Sequence, residues 1–238
     1  MKTINIVHLY PKEMNIYGDN GNILVIKKRL QWRGIKTNII NVGVGDKIPL
    51  DASIILGGGG QDSGQSIIAD DLKIKSKTIF SMANNGIPML MICGMYQMFG
   101  HFFKTADGSI IPGIGVLDVS TTAGSGRIIG NIATRGDYGK LVGYENHSGL
   151  TTLGPQAKPI GITKLGQGNN GLDKQEGAVQ NNVFGSYLHG PVLAKSPVFA
   201  DALIKKAIYI SGQQLILEPL AIDDLSIRSA HIAESRKR

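Results

Sequence analysis

Several features are scarce in this sequence, and each scarcity excludes a class of protein. Cys93 is the single cysteine among 238 residues, so neither an internal disulfide framework nor a cysteine-based zinc site is expected. No stretch reaches the roughly 18 apolar residues that span a bilayer. The apolar run at the N-terminus ends at His8 and is too short for the core of a signal peptide. We therefore expect a soluble, cytoplasmic protein, and the lone cysteine fits a reducing compartment.

Aromatic residues are also few, at 6% of the chain. Lysine and arginine outnumber aspartate and glutamate by 25 to 18, which gives a net charge of +7. The basic residues are scattered, and their two dense runs, residues 27–29 and 236–238, have no interleaved aromatic side chains on which bases could stack. We therefore predict no nucleic-acid binding and interpret the charge as a solvated excess. A hydrophobic content of 42% supports a large core, and we predict one domain over residues 1–238.

The first half of the chain alternates between strand-like and helix-like segments. Strands are predicted over residues 3–9, 36–42, 53–56 and 88–92, and helices over residues 21–33, 67–84 (with a break near Lys75) and 95–103. This alternation is typical of a parallel sheet with crossover helices. Residues 111–186 have short runs rich in glycine and asparagine, which favour an antiparallel or mixed region. Helices are predicted over residues 198–210 and 220–234, and residues 212–238, with the basic tail, form an appendage.

Cys93 lies where a predicted buried strand ends and a helix begins, in the segment MICGMYQ at residues 91–97. A sharp turn between strand and helix lifts a side chain out of the sheet, which is the geometry of a nucleophile elbow. The partial positive charge of the helix N-terminus favours a thiolate. The segment predicts a nucleophilic cysteine, and the alternative is a small buried hydrophobic residue.

A cysteine nucleophile requires a base, and two of the five histidines are candidates. His189 follows an apolar strand-like run and precedes a Gly-Pro pair that breaks the chain. The carboxyl ends of parallel strands meet at one crevice, so we expect Cys93 and His189 to lie together. His147, in the segment GYENHSG, is the alternative base.

Four consecutive glycines, residues 57–60, follow the third predicted strand. Glycines at such a position let backbone N–H groups approach a bound group closely, where they can stabilise an oxyanion or hold a phosphate. No Gly-Lys-Ser/Thr follows, and the spacing does not fit a dinucleotide-binding loop, so the phosphate hypothesis is the weaker one. A loop that simply needs positive φ angles is the remaining alternative.

Four segments together resemble those of a known enzyme family: GGGQD at residues 58–62, CGMYQ at 93–97, GYENHSG at 143–149 and YLHGP at 187–191. The chain resembles the class I, triad-type glutamine amidotransferases of the CobB/CobQ-like (cobyric-acid-synthase-like) branch. Within that branch it is most similar to the GatD-type glutaminase subunits of lipid II isoglutaminyl synthase. The resemblance implies an α/β fold, with a central, mostly parallel, flavodoxin-like sheet flanked by helices and a mixed or antiparallel extension.

The resemblance implies a chemistry for these residues. The Cys93 thiolate attacks the side-chain amide of L-glutamine, His189 transfers the proton, and a glutamyl thioester forms before water releases glutamate. Arg127 would bind the substrate α-carboxylate through a bidentate pair, whereas without the resemblance it would be interpreted as a surface arginine. The oxyanion would be held by backbone N–H groups, those of Gly58, Gly59 and Gly94.

The chain departs from the family pattern at two places. The common elbow has glycines two residues before and two residues after the cysteine, where this chain has Met91 and Met95. Many relatives place a glutamate two residues after the histidine, where this chain has Pro191, a loss that the CobB/CobQ-like branch shares. The third triad member is therefore left open between Glu145 and Asp19.

The resemblance also implies a partner. The chain has no ATP-binding motif, so ATP and Mg²⁺ are expected in a separate Mur-ligase-like (MurT-type) synthetase subunit of a heterodimer, and no cofactor or metal is expected here. That subunit would amidate the α-carboxyl of D-glutamate in lipid II during peptidoglycan synthesis, at the inner face of the membrane. Two alternatives stay open: an amidotransferase for another acceptor, such as a corrinoid, and a non-catalytic basic binding module.

Overall fold

A computed structural model describes residues 2–236 of the chain. The strands are β1 (Ile4–Leu9), β2 (Thr37–Val42), β3 (Ile54–Gly57), β4 (Met89–Ile92), β5 (Phe102–Lys104), β6 (Ile110–Pro112), β7 (Val119–Gly136), β8 (Gly139–Leu153), β9 (Gly161–Leu165), β10 (Gln175–Glu176), β11 (Ala178–Gln180) and β12 (Val183–Ser186). The helices are α1 (Asn20–Gln31), α2 (Asp62–Asn84), α3 (Gly94–Phe99), α4 (Pro197–Ile210) and α5 (Asp223–Ser235), with a 3₁₀ helix at Val192–Lys195. Two residues of the predicted basic tail, Lys237 and Arg238, lie outside the described residues.

The central sheet has the strand order β11-β12-β4-β3-β1-β2. All neighbouring strands in it are parallel except β11, which runs antiparallel to β12. Strands β3 and β4 are short and completely buried, as expected where helices cover both faces of a parallel sheet. Helices α1 and α4 pack against each other and against this sheet. The predicted flavodoxin-like α/β fold is thus confirmed.

The second sheet is mixed and has the order β10-β9-β7-β5-β6, with β8 paired to β7. It contains the predicted antiparallel extension, but the expectation of short runs is wrong: β7 has 18 residues and β8 has 15, and they form one long hairpin. The middle of β7 is exposed on both faces. It therefore lacks the alternation of apolar and polar residues from which strand length is judged in a sequence.

Two helix predictions need correction. Helix α2 is continuous from Asp62 to Asn84, so the predicted break near Lys75 is wrong. Lys75 is buried because its ammonium pairs with Asp71 one turn earlier and lies 5.5 Å from the centroid of the Tyr10 ring. Helix α3 ends at Phe99 instead of residue 103, since the chain then becomes extended and residues 102–104 form β5.

A single large hydrophobic cluster includes side chains from both sheets and supports the prediction of one domain, which stays a prediction. Ion pairs connect helix α5, in the predicted C-terminal appendage, to helices α1 and α4. Arg29 of α1 is buried, and its guanidinium donates to Asp201 of α4 at 2.7 Å and to Asp223 of α5 at 2.6 Å. Helix α5 is thereby fixed to α1 and α4 through one buried cation.

None of the helices within residues 2–236 combines the length and the apolar character needed to cross a bilayer.

Two glycines on the strands beside β4 make room for the turn that follows it. A Cβ atom at Gly185 of β12 would lie 2.0 Å from the ring of Tyr96 in α3. A Cβ atom at Gly57 of β3 would lie 3.0 Å from both Met91 Sδ and Met95 Cγ. The space that glycines beside the cysteine usually provide is therefore provided here by the neighbouring strand.

We expect Gly185→Ala to lower the free energy of unfolding by about 1–3 kcal/mol, because Tyr96 is completely buried and its ring cannot move aside without displacing α3. Urea denaturation measures the change. Gly126→Ala in β7 is the matched control, since a Cβ atom there meets no other atom within 4 Å. Equal unfolding midpoints for the two variants would contradict this packing argument.

Candidate active site

Cys93 forms the turn between β4 and α3. Its backbone has φ 50° and ψ −106°, a conformation that non-glycine residues rarely adopt. The N–H of Cys93 donates to the carbonyl oxygen of Ser186 at the end of β12, at 2.8 Å. This hydrogen bond fixes the turn to the neighbouring strand. A strained backbone of this kind is typical of functional residues.

His189 follows β12 and is almost completely buried. Its Nδ1 lies 3.1 Å from Oδ1 and 3.0 Å from Oδ2 of Asp19, a buried residue immediately before α1. The other ring nitrogen, Nε2, is buried and forms no regular hydrogen bond within the described chain, and the imidazole interacts with the Cys93 thiol. The structure thus brings Cys93, His189 and Asp19 together.

The surroundings of His189 favour the imidazolium. Burial alone would lower the pKa of His189 from its ordinary value of 6.5, but the hydrogen bond to the Asp19 carboxylate and the contact with Cys93 raise the pKa to about 10. At neutral pH the ring is therefore protonated. Tyr17 packs edge-on against this ring, with 4.9 Å between the ring centroids.

Asp19 also organises the glycine loop. Its Oδ2 accepts a hydrogen bond from the N–H of Gly59 at 2.7 Å. A Cβ atom at position 59 would lie 2.7 Å from Cε1 of His189, so only glycine fits there. The predicted oxyanion role of Gly59 needs correction, because its N–H is already engaged by Asp19. Gly58 lines a separate small cavity together with Asp19 and His8, and Cys93 is not among its lining residues.

Glu145, the other candidate for the third triad member, lies on β8 and serves a different loop. Its carboxylate accepts hydrogen bonds from the N–H groups of Gln167, at 2.9 Å, and Gly168, at 3.0 Å. Of the two candidates, Asp19 is therefore the one with the observed hydrogen bond to His189.

A cavity of about 540 Å³ opens beside Cys93, which is the size range of small-molecule sites. The glycine loop forms one wall and strands β7 and β8 form the other, and the lining residues include Gly60, Gln61, Arg127, Asn146 and His147. A slightly larger cavity, of about 650 Å³, lies along α4 and is lined by none of the predicted site residues. The predicted site residues Cys93, Arg127 and His147 therefore line the smaller of these two cavities.

Sequence reasoning missed Gly60. This glycine lines the cavity, and a Cβ atom at Gly94 would lie 2.9 Å from the backbone nitrogen and oxygen of Gly60. The backbone of the loop therefore lies directly against the first residue of α3. Gly94 and Gly60 bring two backbone segments together beside the thiol, where Gly58 and Gly59 were expected.

Arg127 lies within β7, at the irregularity in its pairing with β8. Its Nε and Nη2 donate to Oδ1 of Asn146 at 3.0 and 2.8 Å, and Nη2 also donates to the Asn146 carbonyl at 3.1 Å. The guanidinium is thus oriented within the cavity wall by a neighbouring strand, as a bidentate anion contact requires.

His147, the alternative base, lines the same cavity but has a different environment. Its ring stacks on Tyr187 with 3.6 Å between centroids, and its Nδ1 lies 2.8 Å from the carbonyl oxygen of Gly149. Burial lowers the pKa of His147 to about 4, with a smaller lowering from the charges of His189 and Arg127. His147 is therefore neutral at neutral pH, whereas His189 has the carboxylate contact that orients a catalytic imidazole.

Comparison with known proteins agrees with this geometry. Residues 5–197 match the CobB/CobQ-like glutamine amidotransferase domain. The GatD subunit of the glutamine-hydrolysing lipid II isoglutaminyl synthase from Staphylococcus aureus is 35% identical over 94% of this chain and 91% of its own length. The GatD subunit from Streptococcus pneumoniae is 39% identical over 94% of this chain and 87% of its own length.

Among solved structures, a glutamine amidotransferase from Thermotoga maritima shares the fold, with a TM-score of 0.57 and 15% identity over 98% of this chain and 94% of that one. At this identity the likeness concerns the fold alone. The family is carried by the sequence matches, which cover the elbow, the glycine loop and the histidine segment. The chain belongs to the CobB/CobQ-like family of class I glutamine amidotransferases.

Proposed function

We propose that this chain hydrolyses L-glutamine to glutamate and ammonia at Cys93, as the glutaminase subunit of a lipid II isoglutaminyl synthase. The observation that carries the proposal is the Cys93 elbow beside a His189 imidazole that Asp19 holds from the other side. Such a group of nucleophile, base and orienting carboxylate is what acyl transfer from an amide requires.

The reaction follows from the charges of these groups. His189 is protonated and adjacent to Cys93, which favours a thiolate–imidazolium pair. The thiolate forms a bond to the carboxamide carbon of glutamine, and the carbonyl electrons move onto oxygen. When they return, the C–N bond breaks and the His189 proton leaves with ammonia, which gives a glutamyl thioester. Water then loses a proton to His189, attacks the thioester and releases glutamate and the cysteine.

Backbone and side-chain groups in the cavity wall would hold the substrate. We assign the oxyanion contact to the N–H groups of Gly94 and Gly60, which lie together beside Cys93. Arg127 would bind the α-carboxylate, since it is a preoriented guanidinium in the wall of the same cavity. Asp19 would be the third triad member, and Glu145 would have a structural role in its loop.

We infer that a separate subunit uses the ammonia that this chain releases. The two GatD relatives are named as subunits of a glutamine-hydrolysing lipid II isoglutaminyl synthase, and this chain spans most of their length. We therefore infer a heterodimer with a Mur-ligase-like, MurT-type subunit, which would bind ATP and Mg²⁺ and amidate the D-glutamate α-carboxyl of lipid II. A cytoplasmic location at the inner membrane face stays a prediction.

A corrinoid acceptor is the second candidate. A probable cobyric acid synthase from Methanothermobacter thermautotrophicus is 37% identical, but over only 44% of this chain and 23% of its own length. The near full-length match to the GatD subunits favours lipid II. Co-purification distinguishes the two: a Mur-ligase-like protein supports the lipid II acceptor, whereas dependence on a corrinoid would replace it.

We expect Cys93→Ala to abolish glutamate release and His189→Ala to reduce it by roughly 10²–10⁴-fold, because the nucleophile or its proton carrier is lost. Asp19→Asn should reduce kcat by about 10-fold or more, since the orienting carboxylate is lost. The matched control is Asp118→Asn, which removes the carboxylate charge from a surface His–Asp contact with His101 of 2.9 Å. Glutamate release is measured with and without the co-purified partner.

Retention of full glutamate release by Cys93→Ala would overturn the proposed hydrolysis. A loss in Asp118→Asn equal to that in Asp19→Asn would instead show that the carboxylate beside His189 has no special role.

We also expect Asp19→Asn and Cys93→Ala each to lower the pKa of His189 from about 10, because each removes a group that favours the imidazolium while burial remains. NMR titration of the imidazole measures this pKa.

The pKa of His189 also predicts how stability depends on pH. A raised pKa in the folded state contributes stability that is complete below pH 6.5 and is lost as pH rises to about 10. The wild type should therefore lose more unfolding free energy across this range than Asp19→Asn. A wild-type His189 that titrates near 6.5 would contradict the thiolate–imidazolium pair.

A further inference from the structure

Tyr17 lies in the wall of the Cys93 cavity, in the segment between β1 and α1. Its backbone has φ +54°, which a tyrosine rarely adopts. The preceding residue, Ile16, forms an isolated bridge with Gly59 of the glycine loop. Tyr17 is thus held in an unfavourable conformation by its neighbours, at a position where the side chain reaches across the site.

The hydroxyl of Tyr17 anchors the side-chain amide of Asn146. It accepts a hydrogen bond from Nδ2 of Asn146 at 2.8 Å, and Oδ1 of the same amide accepts from Arg127 Nε and Nη2. In the opposite orientation the amide NH₂ would face the guanidinium, and two donors would meet. Arg127 therefore fixes the orientation of the Asn146 amide, and the Tyr17 hydroxyl holds the NH₂ end of that amide in place.

The ring of Tyr17 contacts the catalytic histidine. It packs edge-on against His189, with 4.9 Å between centroids and 66° between the ring planes, a favourable arrangement for two aromatic rings. One side chain thus touches the imidazole through its ring and, through its hydroxyl, the amide that orients Arg127.

We propose that Tyr17 is a positioning residue that links the Arg127 grip on the α-carboxylate of glutamine to the placement of the His189 imidazole. The inference rests on the proposed function, and it assigns separate tasks to the two ends of Tyr17. The hydroxyl serves substrate binding through Asn146 and Arg127, and the ring serves the chemical step through His189.

Two substitutions separate the tasks. Tyr17→Phe keeps the ring and removes the hydroxyl, so KM for glutamine should rise roughly three- to tenfold, the loss of one hydrogen bond, while kcat stays within about twofold. Tyr17→Leu also removes the ring, so kcat should fall roughly three- to tenfold in addition. The control is Tyr209→Phe on α4, an exposed tyrosine outside this cavity, which should leave both constants unchanged.

A double-mutant cycle tests the route through Asn146. Asn146→Ala should raise KM, and adding Tyr17→Phe should raise it no further, because the hydroxyl acts through that amide. Additive effects would overturn this route. Tyr17→Phe is the conservative change, so it tests the proposal even if Tyr17→Leu does not fold.

Direct binding of L-glutamine to Cys93→Ala, with and without Tyr17→Phe, separates this inference from the proposed function. Weaker binding in the double variant supports the role of Tyr17, even if the wild type were to release no glutamate, a result that would overturn the hydrolysis alone. Unchanged KM and unchanged binding in Tyr17→Phe would overturn the inference while leaving the hydrolysis intact. Absence of glutamine binding and of glutamate release would overturn both.

Discussion

The hydrogen bond between Asp19 and His189 joins residues 170 positions apart, and the geometry of the site depends on it. The same carboxylate holds the N–H of Gly59, so one buried anion fixes the glycine loop and the imidazole together. Strands β12, β4, β3 and β1 are adjacent in the sheet, and the chain supplies the histidine, the cysteine, the glycine loop and the aspartate after the carboxyl end of each in turn. The parallel order of the sheet is what brings four distant segments to one place.

The position of Asp19 also shows how a carboxylate reaches the imidazole in a chain that has no glutamate two residues after the histidine. Pro191 occupies that place, and a Cβ atom at Gly21 would lie 2.4 Å from Pro191 Cγ. The first turn of α1 therefore packs directly on the proline. Asp19, two residues before Gly21, lies beside the imidazole as a result. The carboxylate that contacts His189 therefore comes from the residue before a helix, and not from the segment after β12.

Sequence patterns identified the parts of the site that are coded locally. The Cys93 elbow and the position of His189 follow from apolar runs that end shortly before these two residues. The order of strands and helices indicates the parallel sheet. The sequence does not decide whether Asp19 or Glu145 contacts His189, because nothing local marks a contact 170 positions distant. A run of four glycines does not reveal that Gly60 lines the cavity, since the direction of a backbone N–H depends on torsion angles that the run does not specify. The break predicted near Lys75 is absent because the burial of Lys75 depends on Asp71 and Tyr10, which only packing brings together.

The pairing of Gly57 with Met91 and Met95 has a consequence for how such enzymes are compared. The requirement for small volume at the elbow is met across the sheet, by a residue on β3, and not along the chain. The large side chain of Met91 on β4 and the missing side chain of Gly57 on β3 therefore depend on each other, although the two residues are far apart in sequence. A search pattern restricted to consecutive positions around the nucleophile would miss this solution, whereas one that allows exchange between adjacent strands would include it.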